Sequence, residues 1–201
     1  MKKRSVILTG GLLVLFIVLT ILVVLGLTKE FDEVVYAMVR SLESHFFDKY
    51  FIYITKMGNE TTIIGLVIVL LLLLKNKERM LVIMSTVLSV ISNQIIKHIV
   101  RRPRPDVLKL IKQGGYSFPS GHSMISVAVY GLLMYFVLTK IKNKYLKYGI
   151  SILLGILIIS IGISRIYVGV HYVSDVLSGF ILAIFELIII IGFSKKNLRG
   201  N

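Results

Sequence analysis

Cysteine is absent from this chain of 201 residues, which excludes disulfides and thiolate-held metal ions and leaves the redox compartment open. Acidic residues are scarce, 10 against 24 lysines and arginines, and no cluster of carboxylates that could hold a divalent ion stands near the polar motifs described below. No internal repeat, low-complexity segment or linker divides the chain, so a single domain over residues 1–201 is expected, with the polar motifs described below and the apolar runs around them within about 80–194. Charge is missing altogether from Val6 to Leu27, a run that matches the roughly 20 apolar residues a helix needs to cross a bilayer.

What is present is mostly apolar. Hydrophobic residues make up 56% of the chain, and the mean hydropathy of +0.85 is too high for an ordinary soluble surface. The basic start Lys2, Lys3, Arg4 would also suit a secretory signal, but the apolar stretch is too long and no small-x-small cleavage site follows it, so a retained anchor helix is expected. Five further spans follow, at about Thr61–Leu74 (beginning near Phe51 if "KMGNE" lies inside the protein), Met80–Ile96, Ser123–Leu138, Tyr148–Ile163 and Val176–Phe193. Between the first two, Phe31, Val34, Val35, Met38 and Leu42 recur at helical spacing within Thr28–Tyr50, which predicts a helix lying in the membrane interface. The fold class is therefore all-α, a polytopic six-helix transmembrane bundle with an interfacial amphipathic helix after the first span.

The net charge of +14 raises nucleic acid as a partner. The basic residues sit in short loops between apolar runs, however, where they orient the protein and meet anionic lipid, and nucleic-acid binding is not expected. With both termini in the cytoplasm, the inside segments Met1–Ser5, Lys75–Arg79, Lys140–Lys147 and Lys195–Asn201 hold more than half of the 24 basic residues, as the positive-inside rule requires. One outside loop, Lys97 to Lys112, breaks the bias and calls for a functional reason.

Three polar clusters then fall at span ends on the same side of the membrane: "KHIVRRPRP" from Lys97, "PSGH" from Pro119, and "SRIYVGVHYVSD" from Ser164. Alone, each has an ordinary explanation. The arginines would make a headgroup collar, Ser120 a helix cap, and His171 with Asp175 a structural pair four residues apart. Together they form a matched set, and ionisable groups near membrane depth are costly enough to imply function. Lys97, Arg104 and Arg165 suit a phosphate. Gly121 permits close backbone approach at a helix start, where N–H groups are natural oxyanion donors. His122 and His171 supply an acid and a base or nucleophile, and Asp175 can fix the tautomer of His171. Such a set describes phosphoryl transfer without a metal.

At these residues the chain resembles the type-2 phosphatidic acid phosphatase superfamily, which also contains vanadium haloperoxidases. The family signature is Lys-x6-Arg-Pro, then Pro-Ser-Gly-His, then Ser-Arg-x5-His-x3-Asp. It is matched by Lys97, Arg104-Pro105, Pro119-Ser120-Gly121-His122, Ser164-Arg165, His171 and Asp175 with no departure. The resemblance implies that His171 attacks phosphorus, oriented by Asp175, while His122 protonates the leaving oxygen. It further implies that Lys97, Arg104, Ser120, Gly121 and Arg165 hold the phosphoryl oxygens and that no cofactor is used. Ser164 is a second-tier candidate, Arg101 and Arg102 are expected to steer substrate, and Ser123 and Ser126 to hydrogen-bond locally within their helix. Bacterial relatives of this size act on undecaprenyl pyrophosphate or phosphatidylglycerol phosphate, so a lipid phosphatase of the cell membrane is expected, with its site on the extracytoplasmic face. A haloperoxidase fits poorly because those relatives are soluble. The alternative is a non-enzymatic lipid-binding membrane protein of the same fold. Substrate choice would rest on the walls between spans and on loops such as Phe46 to Glu60.

Overall fold

The structure, a computed structural model, describes residues 3–197, and side chains over residues 6–193. The basic termini expected inside, Met1–Ser5 and Lys195–Asn201, thus lie outside the described side chains. Every regular element among the described residues is helical: α1 (Lys3–Val24), α2 (Lys29–Arg40), α3 (His45–Lys56), α4 (Glu60–Leu73), α5 (Asn76–Val100), α6 (Gly121–Ser126), a π-helical turn (Val127–Gly131), α7 (Leu132–Lys140), α8 (Lys144–Tyr167) and α9 (Val173–Asn197). Five stretches are long and apolar enough to cross a membrane, and α3 with α4, bent by 48° at a short break, meet the same measure together, which gives six spans when the pair is counted as one. Helices are the expected solution here, because lipid offers no partner for backbone N–H and C=O groups and a helix satisfies them internally.

Two details differ from the sequence-based expectation. Thr28–Tyr50 is not one helix, since the chain breaks after α2 at Arg40 and restarts as α3 at Ser44, whose hydroxyl accepts the Phe47 N–H at 3.2 Å as an N-cap. The exposed stripe of α2, Phe31, Val34 and Met38, faces away from the protein. Its opposite face packs Val35, Tyr36 and Val39 against Ile166, Val173 and Val176, and carries a buried aspartate, Asp32. The fourth span begins at Gly121 and contains the π-helical turn, where the hydrogen-bond ladder slips by one residue.

The core lies where the later spans meet. Val129, Tyr130, Leu132 and Phe136 pack against α4, α5, Ile161 of α8 and Ile190 of α9, while α1 closes one flank through Phe16 and Val23 on Leu182 and Ala183. Lys140 pairs with Glu78, tying the end of α7 to the start of α5 at one end of the bundle. At the other end, the last turn of α5, the first of α6, the last of α8 and the first of α9 converge.

Candidate active site

Loop residues 101–120 begin with Arg101 in the left-handed conformation (φ 52°), which closes α5. A second sharp turn follows α8. There Gly169 takes φ +76°, and a Cβ on it would collide with the Leu108 carbonyl, so this position needs glycine. The turn folds the chain back so that the N–H groups of Val170 and His171 both donate to the Arg165 carbonyl at 3.2 Å. Across the site Gly179 lets α9 approach α6, since a Cβ there would lie 2.8 Å from the Ser120 carbonyl.

These turns bring the three sequence clusters to one cavity of about 440 Å³. Lys97, Arg104, Arg165, Gly121, His122 and His171 all line it. Arg104 Nη1 lies 3.2 Å from His171 Nε2, and His171 Nδ1 lies 3.4 Å from Asp175 Oδ2. An arginine can only donate, so Nε2 presents its lone pair and Nδ1 carries the proton toward the carboxylate. His171 is almost fully buried. Burial first, then the nearby Arg165, Arg104 and Lys97 charges, holds its imidazole well below the usual histidine range. The ring is therefore neutral at pH 7, the form a nucleophile needs.

The two arginines are held in place. Arg104 donates to the carbonyls of Gly114 (2.8 Å) and Val170 (2.8 Å), which folds the loop around it. Arg165, 1% exposed, donates to Thr55 Oγ1 at 2.6 Å and Gln113 Oε1 at 3.0 Å, and its Nε has no acceptor among the described residues. His122 Nε2 lies 2.8 Å from Asn59 Oδ1, which can accept a proton-bearing nitrogen, and Gly58 leaves room for the ring: a Cβ there would meet His122 Cδ2 at 2.9 Å. Two expected site residues stand behind the cavity wall. Asp175 is fully buried, and Ser120 turns its hydroxyl into the α6 cap, accepting from Ser123 Oγ at 2.9 Å. Ser126 bonds locally to the Ser123 carbonyl, as its sequence context implied, and Ser164 to the Ile161 carbonyl at 2.6 Å.

Arg102 departs from the sequence-based expectation. It does not steer from the surface but turns inward, donating to Asp175 Oδ1 at 2.6 Å and Asp32 Oδ2 at 2.7 Å. Asp32, Thr55, Asn59 and Gln113 were missed as well. Asp32 alone carried a signal, an acid on the inner stripe of an amphipathic helix.

A match to the PAP2 superfamily covers residues 78–199. Phosphatidylglycerophosphatase B of Bacillus subtilis (strain 168) is 39% identical over 111 residues, which is 53% of this chain and 53% of that protein. Undecaprenyl-diphosphatase of Sulfolobus acidocaldarius is 29% identical over 140 residues, 65% of this chain and 63% of that protein. Each of these curated relatives is thus matched over less than two thirds of its own length. The crystal structure of a transmembrane PAP2 type phosphatidylglycerolphosphate phosphatase from Bacillus subtilis superimposes with a TM-score of 0.85 at 26% identity, covering 94% of this chain and 96% of that one.

Proposed function

We propose, since this chain belongs to the PAP2 superfamily, that it is an integral-membrane lipid phosphatase hydrolysing a phosphate ester or pyrophosphate on a lipid headgroup. The observation that carries this reading is the meeting of Lys97, Arg104 and Arg165 with His122 and His171 around one cavity at the ends of the spans. Three cations suit a phosphoryl group whose charge spreads over its oxygens in the transition state. The cavity is also flanked by Ile64 and Val90, 58% and 49% exposed on the outer faces of α4 and α5, so a lipid tail can stay in the bilayer while its headgroup enters.

The geometry supports the following steps. His171 Nε2 attacks phosphorus, forming an N–P bond as the P–O bond to the lipid breaks, and His122 gives its proton to the leaving oxygen. Lys97, Arg104 and Arg165 hold the phosphoryl oxygens, with the first-turn N–H groups at Gly121 adding donors. Ser120 supports that turn through its cap. Asp175 faces the imidazolium that develops on His171. Water then attacks phosphorus, the N–P bond breaks, His122 takes the proton from water, and inorganic phosphate leaves. Phosphatidylglycerol phosphate and undecaprenyl pyrophosphate, the substrates in the names of its relatives, are the first to test. The charge of the inner loops supports a site on the extracytoplasmic face of the cell membrane, with both termini inside.

The decisive assay is phosphate release by purified protein in detergent across a panel of lipid mono- and pyrophosphates. Turnover is expected to survive EDTA and to be inhibited by vanadate. Strict dependence on added magnesium overturns this mechanism.

A further inference from the structure

Arg102 and Arg104 leave the same loop in opposite directions. Arg104 reaches the cavity, whereas Arg102 lies in the protein between two buried carboxylates, Asp175 at 2.6 Å and Asp32 at 2.7 Å. Its guanidinium stacks on the Tyr172 ring, 3.9 Å from the centroid, and Tyr172 sends its own N–H to Asp175 Oδ2 at 3.0 Å. Asp32, 1% exposed, is fixed in turn by the N–H and hydroxyl of Ser174, at 2.9 and 2.8 Å. A continuous path therefore runs from α2, through Arg102 and Asp175, to His171 Nδ1. Neither Asp32 nor Arg102 lines the cavity.

Charge explains why both partners are present. A carboxylate buried without a cation tends to take up a proton, and a protonated Asp175 could neither accept from His171 nor balance the charge that forms on its ring. Arg102, 2.6 Å away, opposes this. A lone guanidinium against Asp175 would, however, draw off much of the carboxylate's field, and Asp32 restores a net negative charge to the trio while pinning the guanidinium plane. We propose that Arg102 and Asp32 are positioning residues for phosphoryl transfer, acting through Asp175 on His171. The inference rests on the lipid phosphatase reading and extends the machinery to a helix outside residues 78–199.

The test is a double-mutant cycle on kcat, KM and vanadate affinity. Arg102→Gln leaves two uncompensated carboxylates side by side, and its kcat is expected to fall about 100-fold, with KM and vanadate affinity within about twofold of wild type. Adding Asp32→Asn removes one of the two charges and is expected to return about tenfold of the loss. A merely structural role predicts the reverse, with kcat and vanadate affinity lost in parallel and the double variant no better than the single. Either that pattern or an unchanged kcat in Arg102→Gln overturns the proposal. A readout that needs no turnover is the ¹⁵N spectrum of His171. The wild-type ring should be the Nδ1–H tautomer with a deshielded proton, lost in Arg102→Gln. If wild-type protein releases phosphate from no lipid, the functional reading fails by itself. An unchanged His171 spectrum in Arg102→Gln then separately sinks the inference.

Discussion

His171 and Asp175 touch through one pair of atoms, Nδ1 and Oδ2 at 3.4 Å, yet this contact decides which ring nitrogen faces the cavity. His171→Ala should abolish phosphate release while vanadate binding persists, because the cations remain. Asp175→Asn should leave a residual rate, reduced about 10³- to 10⁴-fold, since the ring stays but its orienting charge does not. Turnover near the wild-type rate in His171→Ala would remove it from the chemistry. Burial has a further consequence for stability. The folded imidazole is held well below its usual value while the unfolded one titrates near about 6.5. Below that pH the unfolded chain binds a proton that the folded chain refuses, so the stability is present above the unfolded pKa and lost as pH falls. Lowering pH from 7.5 to 5.5 should therefore reduce the Tm in detergent, and His171→Gln, neutral throughout, should flatten that fall. An identical pH dependence in the variant would show that the ring is not held neutral.

At the level of elements, the break between α3 and α4 has a purpose that neither helix shows alone. It sets Gly58 against the His122 ring, presents Asn59 to His122, and lets Thr55 reach Arg165. Below the break, Ile64 on α4 and Val90 on α5 leave the cavity open toward lipid. Val90→Trp should narrow that opening and raise KM for a long-chain lipid phosphate about tenfold, with a smaller effect on a short-chain, water-soluble phosphate. Equal effects on both substrates would show that the tail does not pass between these helices.

Across the whole molecule, the alternation of six spans puts Lys112 and the site at one end and the Lys140–Glu78 pair at the other. A cysteine replacing exposed Lys112 in this cysteine-free chain should react with a membrane-impermeant thiol reagent added to intact cells. One replacing exposed Lys142 should not. The neighbouring Asn143 stays in place, because its side chain caps α8 by accepting the Tyr145 and Leu146 N–H groups at 3.0 and 3.1 Å. Reversed labelling would move the substrate to the cytoplasmic leaflet and leave the chemistry unchanged.

The six crossings were legible because a bilayer forces every spanning backbone to satisfy itself as a helix, so the apolar runs alone set their number and order. The residues that line the cavity were legible too, as residue types at fixed spacings on span ends that topology brings to one side. Other features depended on packing between elements far apart in the chain. The sequence around Arg102 is indistinguishable from a surface basic cluster, and only the docking of α2 against α9 gives its guanidinium two buried carboxylates, one of them 70 residues away. Ser120 likewise fits a phosphate ligand or a helix cap equally well from its neighbours, and the close approach of α9 at Gly179 accompanies its turn inward. Local patterns record what a residue can do, whereas its partner is chosen by which burial leaves no charge or donor unsatisfied, a condition met only in three dimensions.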